Sequence, residues 1–435
     1  MAFLRKHALL LTLVFFFCLY HSNRREEGSP EDTQELKLSN FARLVGDDKI
    51  YGEAGKELGD AKGWASGYFK EDKPPFAILP FFPLDWAYWR VGCPIRLFWV
   101  NFLGKFCAVL YALATLALFY GIALNLGASE RVALLSIWAF GAATHIWDGV
   151  SLGFWTSTGF VPFFALGLYF VTRPKIKARE LFFSGLFLGY AVACRHQDAL
   201  LTLPFLAYVV WKKPKQAYLA LVPFGAGVGL VVLWNLHQWG NVLGTYGPGG
   251  RAASHDVQVT GHAYGLTGDL RVGLPAILFS PGRGLFVFSP ILIFPFFWLK
   301  NHWAVLKKKK FTLLHAALGS ILLEFLLIGK FNIWWGGYSW GPRLLVSALP
   351  AFFVLFMLTL PKKVSQLTVV LLAAAFAWGV FVQGLGAYKY HMWVWNWRPM
   401  DIDLAPQRVW DFRDNPIRRA WGEAHYTPSN YSLEY

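Results

Sequence analysis

The chain has 435 residues, of which 55% are hydrophobic and only 15% are charged, and its formal net charge is +15. Soluble domains carry about 25% charged residues and less apolar sequence, so the composition excludes a soluble protein and indicates an integral membrane protein. The loops that we assign to the cytoplasmic side carry 17 Lys and Arg residues against two acids, which accounts for the whole positive excess. This is the positive-inside pattern of membrane proteins, and it argues against nucleic acid as a partner.

The chain begins with a short apolar run, residues 2–20, which has Arg5 and Lys6 near its start. No small-residue cleavage site comes after it, so residues 1–20 are predicted to be a retained signal-anchor helix with its N-terminus inside. Residues 21–97 are then expected outside the membrane as a catalytic loop with interfacial helices. Within it, the run from Phe76 to Trp89 is rich in Pro and aromatic residues, which is typical of a helix at headgroup level.

The remaining apolar runs predict an all-α polytopic bundle over residues 98–386. With the first helix they give about eleven spans, and the odd number places the C-terminus outside. Outer loops are expected at 237–283 and 330–343. The aromatic-rich tail 387–435 is predicted to be a folded extracytoplasmic cap, because disordered tails lack aromatic residues. The runs lie at about 98–124, 131–147, 153–172, 181–194, 199–211, 216–236, 284–299, 311–329, 344–360 and 364–386.

A charged stretch in the first loop reads D-D-K-I-Y-G-E-A-G-K-E-L from Asp47, and F-K-E-D-K-P-P follows it from Phe69. Asp47 and Tyr51 are four residues apart, so a helix would place them on one face. An acid in the first turn of a helix also suits the positive end of its dipole. A solvated amphipathic helix explains this spacing as well as a functional site does.

The stretch resembles the D-E-x-R-Y-A-E-x-x-R-E-M segment of the GT-C glycosyltransferases, in the branch of the aminoarabinose transferases and protein O-mannosyltransferases. F-K-E-D-K-P-P resembles the F-x-K-P-P motif of the same branch. Those enzymes transfer a sugar from a polyprenyl-phosphate carrier on the outer face of the membrane. The resemblance implies that Asp47 is the catalytic acid-base residue and that Lys73 is the motif lysine. The sequence departs from the pattern at Asp48, Ile50 and Phe76, and Asp48 stays a rival for the base.

Further blocks carry the same resemblance to GT-C-like membrane proteins. They are F-S-P-G-R-G-L-F-V-F-S-P (Phe279 to Pro290), W-W-G-G-Y-S-W-G-P-R (Trp334 to Arg343) and P-Q-R-V-W-D-F-R-D (Pro406 to Asp414).

Arginines at glycine-rich helix entrances are candidates for binding the lipid phosphate. Arg283 lies between two glycines and Arg343 follows Gly-Pro, and glycine lets a ligand approach the backbone while Arg binds phosphate oxygens in a bidentate manner. With Lys73, and with Arg195 in a polar turn, they form the predicted phosphate-binding set. The alternative is that these arginines extend to lipid headgroups without a specific ligand.

Aromatic and histidine side chains are the candidates for the sugar and the acceptor. Trp335 and Tyr338 are predicted to stack on a sugar ring, although an aromatic belt at the membrane interface has the same composition. His255 is a candidate acceptor contact, with a plain surface histidine as the alternative. No metal site is expected, because His145 and Asp148 alone do not make one. Glu324, inside an apolar run, is expected to have a structural role.

The resemblance thus implies an inverting glycosyltransferase with its active site on the periplasmic face of a bacterial cytoplasmic membrane. Its partners would be membrane lipid and the polyprenyl-phosphate donor, and no cofactor is expected beyond that donor. The alternative is a catalytically inactive GT-C-like scaffold subunit of a larger membrane complex. A transporter is a third interpretation, but the sequence contains no inverted repeat or pair of broken helices.

Overall fold

The computed structural model describes residues 7–22, 75–77, 79–81, 83–84, 87, 97–153, 155–244, 265–307, 310–390 and 392–422. Every regular element in these ranges is helical, and they contain no strand. The first helices in chain order are α1 (Ala8–His21), α2 (Leu97–Asn125), α3 (Glu130–Ala143), α4 (Thr156–Val171), α5 (Ala178–Cys194), α6 (Ala199–Lys212) and α7 (Tyr218–Trp239).

The later part of the chain alternates long helices with short ones. The α-helices are α8 (Leu270–Phe279), α9 (Leu285–Phe288), α10 (Phe294–Trp298), α11 (Trp303–Leu306), α12 (Leu313–Lys330), α13 (Leu349–Thr359), α14 (Gln366–Tyr388), α15 (Met392–Trp397) and α16 (Pro416–Gly422). Shorter turns of 3-10 helix connect them, including Arg343–Ala348, which leads directly into α13.

Four helical segments are long and apolar enough to cross a membrane by length and composition. They are Gly104–Asn125, Tyr218–His237, Leu313–Lys330 and Gln366–Tyr388. Other apolar helices in the described ranges are shorter. The structure is therefore compatible with a membrane protein, and the expectation of about eleven spans is not confirmed by it.

The predicted run 284–299 is a broken segment rather than one helix. It consists of α9, the 3-10 turn Pro290–Ile293 and α10. Pro290 and Pro295 have no backbone N–H and fix their own φ, so a continuous helical hydrogen-bond ladder is interrupted at both positions.

Helix α8 was not expected, because its residues fall inside the predicted outer loop 237–283. Asp269 caps its N-terminus by accepting a hydrogen bond from the backbone N–H of Arg271 at 2.8 Å. Gly273 then lies so close to α12 that a Cβ there would be 2.3 Å from the Gly329 carbonyl oxygen. Packing against α12 thus stabilises a segment whose sequence alone reads as a loop.

Helices α5 and α7 pack at close range through glycines. A Cβ on Gly185 would lie 2.0 Å from the carbonyl oxygen of Ala220, and a Cβ on Gly227 would lie 2.3 Å from the carbonyl carbon of Gly189. Small residues at such a crossing bring two backbones together, as they do in membrane helix pairs. Helix α4 also packs against α5.

The centre of the molecule is α13, in which Leu349–Phe356 are buried without interruption. Phe353 stacks on Phe119 of α2 with ring centroids 4.2 Å apart. Helix α13 is therefore enclosed by protein. Hydropathy alone does not distinguish such a helix from one in contact with lipid, because both are apolar.

The start of the predicted interfacial helix is buried inside the bundle. Phe76 and Ala77 belong to a short 3-10 turn, and both are buried against α2 and α5. Tyr111 donates to the Ala77 carbonyl at 2.9 Å and Tyr190 donates to the Phe76 carbonyl at 2.7 Å. Two tyrosine hydroxyls and a glycine of α4, Gly159, hold this segment between helices, and its position at headgroup level stays a prediction.

Candidate functional site

Arg283 is the centre of a polar cluster in which distant parts of the chain meet. Its side chain is 1% exposed and four of its hydrogen bonds go to protein oxygens. A buried guanidinium requires this number of acceptors, because an unpaired buried charge is costly. The acceptors are the carbonyl of Trp335 at 2.8 Å, that of Gly282 at 3.0 Å, that of Gly337 at 2.9 Å and Asn396 Oδ1 at 2.7 Å.

The loop that follows α12 supplies two of the three carbonyls, those of Trp335 and Gly337, and contains glycines with left-handed backbone. Gly336, Gly337 and Gly341 have φ values of +76°, +64° and +56°. Residues with a Cβ rarely adopt this region, whereas glycine does so at no steric cost. The W-W-G-G-Y-S-W-G-P-R block therefore folds back so that its carbonyls point at Arg283.

The C-terminal part of the chain closes the cluster from the other side. The Trp395 indole contacts two guanidinium groups, with its ring centroid 5.0 Å from that of Arg283 and 5.1 Å from that of Arg408. Arg408 also donates to the Arg398 carbonyl at 2.7 Å, and Arg419 pairs with Asp414 at 2.8 Å. Cation–π contacts and charge-assisted bonds thus fix this segment on the bundle.

The predicted sugar-binding aromatics are hydrogen-bonded to acids in that segment. Trp335 Nε1 donates to Asp403 Oδ1 at 2.6 Å, and the Tyr338 hydroxyl donates to Asp401 Oδ2. Tyr338 also stacks on Trp397 with centroids 6.3 Å apart. Sequence reasoning did not select Asp401 or Asp403. The D-x-D spacing in an otherwise aromatic and basic tail was the available signal.

Arg343 lies at the edge of the same loop and is only half-buried. Its guanidinium lies 4.7 Å from the ring centroid of Trp155, the residue before α4. Burial lowers the pKa of Arg283 to about 10, and the positive charges of Arg343 and Arg408 add to that lowering. Arg283 and Arg343 are thus close enough to interact electrostatically, and with a pKa of about 10 Arg283 remains charged at neutral pH.

Arg195 is bound to the other end of the 3-10 helix that begins at Arg343. Its Nη1 donates to Ser347 Oγ at 3.1 Å and lies 3.2 Å from Asp198 Oδ2. Like Arg283 it is almost fully buried, at 6% exposure. Its present hydrogen bonds are to protein groups, so its predicted role toward a phosphate stays a prediction.

The structure therefore brings Arg283, Arg343, Trp335 and Tyr338 into one cluster and places Arg195 beside the next turn. The other predicted site residues are Asp47, Asp48, Lys73 and His255, and all of them lie outside the described residues.

His145 precedes the π-helical turn Ile146–Val150 and forms a buried pair at 2.8 Å with Asp148 inside that turn. Gly341 packs directly on this histidine, since a Cβ there would be 2.7 Å from His145 Cε1. Within the described ranges, no group of three or more His, Cys, Asp or Glu residues is placed to hold a metal ion.

No protein-family model, curated protein or solved structure matches the chain. The fold and the cluster define an all-helical protein, compatible with a membrane, in which arginines, aromatic rings and carboxylates from three segments meet. Such a set can neutralise an anion and present flat apolar surfaces to a ring.

Proposed function

We propose that this chain is a GT-C-like membrane glycosyltransferase that moves a sugar from a polyprenyl-phosphate donor to an acceptor on the extracytoplasmic face. In this proposal the chain spans a bacterial cytoplasmic membrane about eleven times, with its N-terminus inside and its C-terminus outside. The observation that carries the proposal is the position of Arg343. It is a half-buried arginine on an indole face, next to the buried charge of Arg283 and within a loop rich in aromatic side chains.

A lipid-linked donor explains why such a site belongs to a helical membrane protein. A polyprenyl chain gains about 0.8 kcal/mol for each methylene that it buries, so the donor stays in the bilayer and its phosphate stays at the headgroup level. Arg343 and Lys73 are proposed to bind that phosphate, each charge-assisted hydrogen bond contributing about 1.5–3 kcal/mol. Arg283 is proposed to hold the loop before Arg343 in position through its hydrogen bonds to the Trp335 and Gly337 carbonyls.

The reaction is proposed to be a single displacement. Asp47, or its neighbour Asp48, takes the proton of an acceptor hydroxyl or amine, and the acceptor oxygen or nitrogen forms a bond to the anomeric carbon. The bond from that carbon to the lipid-phosphate oxygen breaks, so the electron pair leaves on the phosphate and the anomeric configuration inverts. General base catalysis contributes about 10²–10⁴-fold, and electrostatic stabilisation of the leaving phosphate adds to it.

Transfer by the purified protein from a labelled polyprenyl-phosphate sugar tests this proposal. We expect Asp47→Asn to abolish transfer and Arg343→Met to reduce it at least tenfold while the protein stays folded. Tyr218→Phe, on the exposed start of α7, is the control and should be unaffected. Full transfer by D47N with loss in D48N would move the base to Asp48, and full transfer by D47N, D48N and R343M would refute the proposed site.

One observation favours the inactive-scaffold alternative. Arg195 and Arg283 donate hydrogen bonds to other groups of the protein. Under that alternative the cluster only holds the C-terminal segment on the bundle. Absence of transfer by the wild-type protein, together with its co-purification in a stable membrane complex, would support the scaffold over the enzyme.

A further inference from the structure

Glu324 is a carboxyl group in the interior of the helix bundle. It lies in the second half of α12 on the face that carries Ser320 and Ile328, and it is 0% exposed. Neither of its carboxyl oxygens has a hydrogen-bond partner within the described part of the chain. A buried ionised carboxylate without partners is among the most unfavourable groups that a protein can contain.

The packing of α12 against α6 brings this carboxyl close enough to a second one for their charges to interact. Ser320, one turn before Glu324, donates to the Leu201 carbonyl at 2.6 Å. Leu201 lies in the first turn of α6, and Asp198 is the residue that precedes this helix. Asp198 and Arg195 are accordingly the charged groups that act on Glu324.

The charges of Glu324, Asp198 and Arg195 do not cancel if all three groups are ionised. Two carboxyls face one guanidinium, and Asp198 is 0% exposed, so bulk water does not screen the excess negative charge. Arg195 is the cationic partner of Asp198 at 3.2 Å. Interacting acids in this arrangement titrate as a pair, with one proton retained by both together.

We propose that Glu324 and Asp198 form a proton-binding site, holding one proton between them at neutral pH against the single positive charge of Arg195. The proton resides mainly on Glu324, because Asp198 has the ion pair with Arg195. With one proton bound, the net charge of the three groups is zero. Without that proton, their net charge is −1 inside the bundle.

The site is connected to the candidate functional site by Arg195, which also donates to Ser347 at 3.1 Å. Ser347 and Arg343 belong to the same 3-10 helix. The proposal does not depend on glycosyl transfer, because the charge balance concerns only the bundle interior.

Carbodiimide labelling of the folded, detergent-purified protein tests the site. Dicyclohexylcarbodiimide is apolar and reacts with protonated carboxyl groups that lie in apolar surroundings. Glu180 is the matched control, because it is also buried but its carboxylate accepts hydrogen bonds from Lys177 N at 3.1 Å and from Arg179 Nη2 at 3.0 Å. We expect peptide mapping at pH 7 to find at least about tenfold more label on Glu324 than on Glu180, the ratio that one pKa unit produces.

A second arm uses Asp198→Asn, after which Glu324 is the acid that faces Arg195 within the described residues. The proton is then no longer needed for charge balance, so labelling of Glu324 should fall to the level of Glu180. Infrared difference spectra give an independent readout, since wild type minus Glu324→Gln should contain the carbonyl stretch of a protonated acid, and wild type minus Glu180→Gln should not. Equal labelling of the two glutamates in the wild type would overturn the proposal, as would undiminished labelling of Glu324 in D198N.

Discussion

Replacing Arg283 by methionine is expected to detach the C-terminal segment from the bundle. The substitution keeps a long apolar stem but removes every donor, so three carbonyls and the Asn396 amide oxygen lose their partner inside a buried site. Each buried acceptor left unsatisfied costs about 1–3 kcal/mol, so even three of them sum to about 3–9 kcal/mol. This is a large fraction of the total stability of about 5–15 kcal/mol that is typical of a folded protein.

The matched control is Arg343→Met, because Arg343 is half-buried and its cation–π contact with Trp155 is worth only about 0.5–2 kcal/mol. Thermal unfolding in detergent, followed by size-exclusion recovery, measures the difference. Limited proteolysis reports on the cap directly, since cleavage after α14 should accelerate in R283M and not in R343M. If R283M melts at the same temperature as R343M, the reasoning that Arg283 holds three segments together is refuted.

Three further perturbations test other parts of the structure. Gly227→Ala should lower the melting temperature, because its Cβ would lie 2.3 Å from a backbone atom of α5 and overpacking costs about 1–3 kcal/mol. The control is Gly225→Ala on the same helix, whose Cβ would have nothing within 4 Å and which should be neutral or stabilising. Equal melting temperatures of the two variants would contradict the close crossing of α5 and α7. Burial lowers the pKa of His196 to about 4, with Arg195 adding to the effect and a backbone hydrogen bond to Leu243 opposing it. In the unfolded chain His196 binds a proton near pH 6.5, so the free energy of unfolding should fall as pH drops from about 6.5 to 4, by up to about 3 kcal/mol. If the melting temperature of His196→Asn falls with pH as steeply as that of the wild type, the lowered pKa of His196 is refuted. A double-mutant cycle of Trp335→Phe with Asp403→Ala should give a coupling energy of about 1 kcal/mol from their 2.6 Å hydrogen bond, and additive effects would show that the bond contributes nothing to stability.

Most helices could be predicted from the sequence because the signal for each is local. The predicted runs 98–124 and 199–211 correspond to α2 and α6 within a residue or two, since a helix satisfies its own backbone and needs only a continuous apolar segment. The run 284–299 was predicted as a single span, although the prolines that interrupt it lie in the run itself. Helix α8 was missed, as its close contact with Gly329 involves a residue more than fifty positions away.

The residues of the candidate site could be predicted from the sequence only in part. Glycine context selected Arg283 and Arg343, and the structure places both at one loop. The partners of Arg283 were beyond prediction, because Asn396 is 113 residues distant in the chain and nothing in its local sequence marks it as an acceptor for a buried guanidinium. The same holds for Asp401 and Asp403, which gain their partners only when the tail folds back.

The sequence by itself determined that the chain is a set of apolar helices joined by basic and glycine-rich loops, since composition and periodicity are properties of neighbouring residues. Only the tertiary structure decided which charges are enclosed together. Burial and pairing depend on where helices cross, so Arg283 became a link between three segments, and Glu324, expected to be merely structural, came to lie beside Asp198 and Arg195 with no hydrogen-bond partner in the described part of the chain.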